Sequence, residues 1–381
     1  MSLKATAWQM VDPAAPLVRK SWQPAPPGAG EALIRVAGCG VCHTDVSFLF
    51  EGVRTRGRLP LTLGHEIAGS IAALGSECRT AAGRQLAEGD AVIVPAVLPC
   101  GECATCRAGR ENICPRQKMP GNDLDGGFAS HVLVPARFLI PVDRLPEGHA
   151  LAHLAVVADA VSTPYQAIGR AAVRDGDRVV IIGAGGIGLF GVQIAAALGA
   201  RVMALDTVGA RVERARAHGA EAGVCTQGLS LSSARQAVRA AATEAGWDRD
   251  GWKILEMSGS AQGQMLAFSL MTRAGTLGIV GFTREKVEVR LSQLMALDAD
   301  AFGSWGCSPR HYPALLDLIF SGRLVVRPFV AFQPLDQVNR VLEAARREGR
   351  DDRVVLVPHD PGTPSPPAGP PEREAREEDA G

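Results

Sequence analysis

Apolar and polar positions alternate on two different scales along the chain. Through residues 1–157 the apolar segments are short, broken every few positions by Gly, Pro or a charged residue, as in short strands joined by tight turns. From about residue 158 to 305 the scale lengthens. Compact apolar runs at 178–182, 201–205, 252–256 and 276–280 alternate with Ala-rich stretches long enough for helices. Such alternation predicts one doubly wound parallel sheet. The fold class expected is therefore α/β, a mostly-β domain followed by a parallel-sheet domain. No repeat of solenoid length is present.

One uncharged run, 179–200, is long enough to span a bilayer. Six glycines divide it into a strand-like segment, a loop and an Ala-rich helix, so no membrane span is expected. Residues 1–16 lack the basic start and apolar run of a secretory signal, and a soluble, cytoplasmic protein is expected. The 381 residues suit about two domains. Forty Lys and Arg balance forty Asp and Glu, which argues against nucleic acid or a membrane surface as partner. A local cationic patch for one anionic substrate stays open. Residues 359–381, with six prolines and a mixed-charge run at 372–379, read as a disordered Pro-rich acidic tail.

Nine cysteines, an odd number without a secretory signal, argue against a disulfide framework. Cys100, Cys103, Cys106 and Cys114 fall within fifteen residues. Two-residue spacings let successive thiolates point into one tetrahedron, and the longer excursion brings back a fourth. A closed shell of four cysteines indicates structural zinc in a lobe at 98–116; iron–sulfur ligation is the rival.

A second constellation begins with Cys42 and His65. Alone they read equally well as a buried thiol and a satisfied core histidine. Asp159 changes that balance. It interrupts the apolar segment Val156-Val157-Ala158-Asp159-Ala160, where a carboxylate needs a partner and a cation is the simplest one. Cys, His and Asp leave a fourth position open, as catalytic zinc requires.

The run at 178–182 leads into Gly183-Ala184-Gly185-Gly186-Ile187-Gly188 and then an apolar helix. Glycines between strand and helix are the fingerprint of a dinucleotide site. Gly183 permits the turn, Gly185 and Gly186 leave room for a pyrophosphate, Ile187 opens the helix, and Gly188 allows close helix–strand packing. The helix N-terminus offers free N–H groups to the phosphates. Asp206, 18 residues past Gly188, can accept both ribose hydroxyls and repels a 2′-phosphate, favouring NAD; Arg211 partly offsets that preference. A helix N-cap is the alternative for Asp206, but together with the glycines the ribose role is expected.

The order Cys-His-Thr-Asp, Gly-His-Glu, four-cysteine lobe, apolar Asp segment and GxGGxG resembles the zinc-dependent medium-chain dehydrogenases over residues 1 to about 358. The resemblance implies a GroES-like catalytic domain at 1–157, a Rossmann NAD-binding domain at 158–305, and a return to the catalytic domain at 306–358. It implies two zinc ions per chain, one catalytic on Cys42, His65 and Asp159 and one structural on the four cysteines. Glu66 would stand beside the metal as an occasional ligand. Thr44 would hydrogen-bond the substrate oxygen and begin a proton relay, with Ser47 where some members carry a relay histidine. Arg353 would reach the cofactor pyrophosphate. A dimer or tetramer is implied as well.

A narrower resemblance, to members acting on an alicyclic acyl-CoA in anaerobic aromatic degradation, is carried by QKMPGN, HLAVVADAVSTPYQA, GWKILEMSGS and SWGCSPRHYP. It implies oxidation of a ring alcohol on a coenzyme A thioester with NAD as acceptor. The anionic coenzyme would need cations, and Arg54, Arg56 and Arg58 are candidates beside their ordinary role as solvated surface charges. Two other expectations compete: a dehydrogenase of free cyclic or aromatic alcohols, and a nucleotide-binding protein without catalysis.

Overall fold

The strand Glu31–Gly40 is the spine of the first half of the protein, whose computed structural model describes residues 4–347 and 352–358. The tail expected at 359–381 lies outside the described residues. Ala32, Leu33, Ile34, Val36 and Cys39 are buried and only Arg35 faces solvent, so the strand is covered on both faces along most of its length. It pairs antiparallel with His131–Pro135 along its first half and with Glu66–Leu74 along its length. Its last two residues pair with Arg353–Val357, a strand from the far end of the chain. With Ala91–Val94, Ile140–Pro141 and Val330–Pro334 this makes a seven-stranded sheet. A smaller sheet of Val18–Trp22, Ala5–Met10 and Leu61–Thr62 lies beside it in sequence.

The second sheet is parallel throughout, from Arg178–Ile182 to Asp300–Gly303. In chain order its strands lie third, second, first, fourth, fifth, sixth, the doubly wound dinucleotide order. Val179, Val180 and Ile181 are fully buried, because helices cover both faces and each position must be apolar. The expected runs form Arg178–Ile182, Arg201–Asp206, Lys253–Glu256 and Thr276–Ile279. The other two strands, Ala222–Cys225 and Asp300–Gly303, are the sheet edges. Half-exposed edges need no continuous apolar run, so neither stood out in the hydrophobic pattern. In the helical segment just before the second edge, Leu291 and Met295 are exposed.

The helix Gly188–Ala197 shows why residues 179–200 carry no charge: Leu189, Phe190, Val192 and Ile194 are all buried within the protein. Among the described residues no helix is long and apolar enough to cross a membrane. After Asp300–Gly303 the chain leaves the parallel sheet, and Val330–Pro334 and Arg353–Val357 join the first one. Residues of both halves, Cys42 and His65 from one and Gly183 and Asp206 from the other, line a shared cavity of about 1100 Å³.

Candidate active site

Two irregularities in the pairing of Glu31–Gly40 with Glu66–Leu74 bring Gly40 opposite Glu66. Any side chain at Gly40 would overlap the Glu66 carboxylate. The paired strand ends deliver Cys42 just beyond one strand and His65 just before the other. Cys42 caps the helix His43–Phe50 in an extended conformation. Asp45 in the first turn returns one carboxylate oxygen to the Cys42 N–H at 3.0 Å, while its other oxygen accepts the Gly64 N–H at 3.0 Å. That second oxygen also lies 3.4 Å from His65 Nδ1. Asp45 is fully buried and fixes both candidate ligands at once.

The third candidate ligand, Asp159, follows the buried 3-10 segment Leu151–Ala158. Asp159 Oδ2 lies 3.8 Å from Cys42 Sγ and 3.5 Å from His65 Nε2. Thr163 Oγ1 donates to Asp159 Oδ1 at 2.6 Å and holds the carboxylate in that orientation. Donor atoms of Cys42, His65, Glu66 and Asp159 all fall within 4.8 Å of one another.

The charges are arranged for a cation. Burial works to keep the His65 imidazole neutral, but Asp45 and Asp159 on either side hold its pKa well above the usual value. Burial likewise opposes charge on Asp159, yet hydrogen bonding and attraction from His65 bring its pKa down to about 2. Neither ring nitrogen of His65 has a well-aligned hydrogen bond, although both are buried. One bound cation would satisfy Nε2, the thiolate and the carboxylate together.

The four cysteines form a second donor set. Cys103 and Cys106 sulfurs lie 3.5 Å apart, Cys100 and Cys114 3.5 Å, Cys103 and Cys114 3.8 Å, and Cys100 and Cys106 3.9 Å. A tetrahedron with metal–sulfur bonds of about 2.3 Å has edges of about 3.8 Å. The shell therefore suits one ion, not a cluster of several irons. Backbone N–H groups, that of Glu102 foremost, pull the Cys100 thiol down to about 6, while burial pushes Cys106 up to about 12. An ion would make all four thiolates.

Across the cavity, Gly183 has φ +88° and its missing side chain gives room to Ser258. A side chain at Gly188 would overlap the Gly183 carbonyl. Gly185, Gly186 and Ile187 line the cavity, leaving backbone open at the start of Gly188–Ala197. Asp206 ends its strand buried, accepting the Ala184 N–H at 2.8 Å and the Val208 N–H at 2.9 Å. Asp206 lines the cavity, but it is not the N-cap of the helix Gly209–Ala217: Val208 holds that position without a side-chain cap, and Asp206 only accepts its N–H from two residues back. Arg211 Nη1 lies 3.7 Å from its carboxylate.

Two family models match the chain: an alcohol dehydrogenase GroES-like domain over residues 28–144 and a zinc-binding dehydrogenase domain over 186–321. An alcohol dehydrogenase of Rhizobium meliloti is 30% identical over 342 residues, 90% of this chain and 95% of that one. The chain belongs to the zinc-dependent medium-chain alcohol dehydrogenases. Among solved structures, a zinc-binding dehydrogenase from Sinorhizobium meliloti bound to NADP aligns with TM-score 0.80 and 25% identity, over 93% of this chain and 100% of that one. Acetophenone reductase from Geotrichum candidum, in complex with NAD, aligns with TM-score 0.78 and 26% identity, over 93% of this chain and 97% of that one.

In this alcohol dehydrogenase the remaining expected residues fall in three places. Thr44 lines the cavity with its Oγ1 3.6 Å from Cys42 Sγ. Ser47 also lines it and donates to Glu51 Oε2 at 2.7 Å; Glu51 Oε1 lies 3.3 Å from His43 Nε2. Arg353 is buried against Glu66, donating Nε to Oε2 at 3.0 Å and Nη2 to Oε1. A side chain on Gly186 would come 3.4 Å from Arg353 Nη1, so the guanidinium that holds Glu66 also borders the glycine turn. Arg54, Arg56 and Arg58 are exposed on a loop, and none lines the cavity.

Asp45 and Thr163 were not expected to act. Asp45 carried a signal, an acid three residues after a helix cap, in the spacing of a capping box. Thr163 carried none. Glu256 is a third addition: it ends Lys253–Glu256 buried, and its Oε1 accepts the Ser258 N–H at 2.7 Å, shaping a turn that lines the cavity.

Proposed function

We propose that this alcohol dehydrogenase uses NAD to oxidise the secondary ring alcohol of 6-hydroxycyclohex-1-ene-1-carbonyl-CoA to 6-oxocyclohex-1-ene-1-carbonyl-CoA, in anaerobic benzoyl-CoA degradation. The convergence of Cys42, His65 and Asp159 on the cavity that presents the glycine turn carries the alcohol-oxidising part of the proposal. Strings spread over the whole catalytic chain, QKMPGN and HLAVVADAVSTPYQA above all, carry the choice of substrate. Asp206 supports NAD, because a carboxylate there repels a 2′-phosphate.

Cys42, His65 and Asp159 would hold one zinc ion and the four cysteines another. When bound, the first supplies a Lewis acid for the alcohol oxygen, and NAD supplies the hydride acceptor. Thr44 Oγ1, beside the ligand sulfur, is placed to take the alcohol proton. Ser47 and Glu51 offer it a way out: Ser47 is buried, Glu51 is partly exposed, and their hydrogen bond ends at solvent. Asp45 and Thr163 would orient the ligands, and Arg353, whose guanidinium borders the glycine turn, would meet the pyrophosphate.

A free cyclic or aromatic alcohol is the second reading, and the position of the arginines favours it. Arg54, Arg56 and Arg58 stand outside the cavity, whose walls include Val41, Phe48, Val97 and Trp305. All nine cysteines are unpaired, which suits a cytoplasmic protein. The edge strand Asp300–Gly303, together with exposed Leu291 and Met295 in the segment before it, supports a homo-oligomer.

NAD reduction with the thioester, its free acid and cyclohex-2-enol tests the proposal. Rapid turnover of the thioester alone is expected. Equal turnover of all three would remove coenzyme A from the substrate and leave the free-alcohol reading.

A further inference from the structure

The four-cysteine lobe sits between two stretches of cavity wall. Val97 lines the cavity just before it and Met119 just after it. The two arms are tied by reciprocal backbone bonds between Leu98 and Lys118, each at 2.9 Å. On its other side the lobe grips the segment where the chain leaves the parallel sheet. Asn112 donates its side-chain N–H to the Trp305 carbonyl at 2.7 Å. Glu111 accepts Arg310 Nε at 2.8 Å and the Ser308 hydroxyl.

Trp305 is a piece of wall that depends on that grip. It lines the cavity, yet it is 53% exposed, so packing alone does not fix it. Its neighbour Gly306 lies against Val97: a side chain there would come 2.8 Å from Val97 Cγ2. Asn112 is 3% exposed, and a buried amide is held where its hydrogen bond is made. The wall also runs back to the metal ligands, since the Ala96 N–H donates to the Ala158 carbonyl at 3.3 Å, one residue before Asp159.

We infer that the four-cysteine lobe sets the width of the substrate cavity, with Asn112 as a positioning residue and Trp305 as the wall that selects the alcohol. The lobe is then more than a staple for the fold. Its ordered loop carries Asn112 to the Trp305 backbone, and through it decides how far the indole stands into the path of a bulky substrate. The inference rests on the alcohol-oxidising reading of the cavity and not on which alcohol is natural.

Asn112→Asp removes the N–H donor with almost no change of size, and Trp305→Phe removes the indole while leaving the backbone carbonyl. Loaded enzyme is assayed with propan-2-ol and cyclohex-2-enol, with metal content and the KM for NAD measured alongside. Asn112→Asp is expected to change the ratio of the two kcat/KM values about fivefold, the scale of one lost hydrogen bond, with metal content and KM for NAD unchanged. In a Trp305→Phe background the same substitution should leave the ratio where Trp305→Phe put it. Acrylamide quenching of Trp305 emission, taken as the difference between each protein and its Trp305→Phe partner, should rise in Asn112→Asp. An unchanged ratio with unchanged quenching overturns the inference, and so does an equal change of ratio with and without Trp305. If wild-type enzyme oxidises neither alcohol, the alcohol-oxidising reading fails for these substrates, and quenching still decides whether Asn112 holds the indole.

Discussion

Replacing Asp45 with Asn tests the metal site at its support. Each carboxylate oxygen of Asp45 accepts one buried backbone N–H, from Cys42 and from Gly64, both at 3.0 Å. Asparagine keeps one oxygen and turns an NH2 group toward the other donor. One buried N–H is then left unsatisfied, which costs about 1–3 kcal/mol of stability. The imidazole of His65 also loses the charge 3.4 Å from its Nδ1 that orients the ring and raises its basicity. Losses of this kind weaken metal binding about 10–100-fold, or about 1.4–2.7 kcal/mol. Competition of the loaded protein against a chelator, followed with a metal-sensitive dye, measures the affinity. Release from the four-cysteine lobe serves as an internal control, because among the described residues Asp45 bonds Cys42, Gly64 and His65 and none of the lobe. The expected result is one weakened site and one unchanged site, with a lower urea midpoint at constant m-value. An affinity at the Cys42 site within about twofold of wild type would refute the reasoning, since Asp45 would then be orienting nothing.

Two further predictions bear on other parts of the site. Gly188→Ala drives a methyl group into the Gly183 carbonyl, so the turn must move; thermal melts should show a loss of about 1–3 kcal/mol or more, and NAD titration weaker binding. An unshifted melt would mean the turn is not close-packed. Glu111→Gln tests the lobe by pH. Burial raises the Glu111 pKa, but its bonds from Arg310 and Ser308 win and hold it below the ordinary 4.5. A depressed folded-state pKa gives stability that is complete above the unfolded value and is lost as pH falls through the folded one. Arg310 is half-exposed, so the pair is worth no more than about 1 kcal/mol. Urea midpoints of wild type and Glu111→Gln should therefore differ at pH 7 and converge on acidification; a gap that widens toward low pH contradicts the assignment.

What the sequence shows of this fold depends on how each residue is covered. Strands buried on both faces declare themselves, as Arg178–Ile182 does, whereas the edges Ala222–Cys225 and Asp300–Gly303 have too little to bury. Donor sets are legible when the chemistry forces an unusual choice of residue. Four close cysteines and a carboxylate inside an apolar run are costly unless something binds them, so Cys100, Cys103, Cys106, Cys114 and Asp159 stand out. Support residues make ordinary choices. Thr163 is one threonine among others, and only the fold puts its hydroxyl 2.6 Å from Asp159. The pairing of Arg353 with Glu66 spans 287 positions and follows from strand Arg353–Val357 docking beside Glu31–Gly40, a return that periodicity does not predict.

That pairing bears on why the proposed metal site keeps a position free. Glu66 is fully buried, and its carboxylate belongs to the donor group gathered within 4.8 Å around Cys42, His65 and Asp159. An unpaired carboxylate there would be the natural fourth ligand, and a closed shell leaves no place for an alcohol. Arg353 engages both Glu66 oxygens. Burying the pair brings little net stability, since desolvating two charges offsets most of their attraction. Its effect is on geometry. With a cation on Cys42, His65 and Asp159, the guanidinium would hold the Glu66 carboxylate back from it, while the remaining nitrogen borders the glycine turn at Gly186. Arg353 would thus keep the reacting position open from a strand that also borders the glycine turn, coupling the two halves of the proposed site without a contact between their ligands.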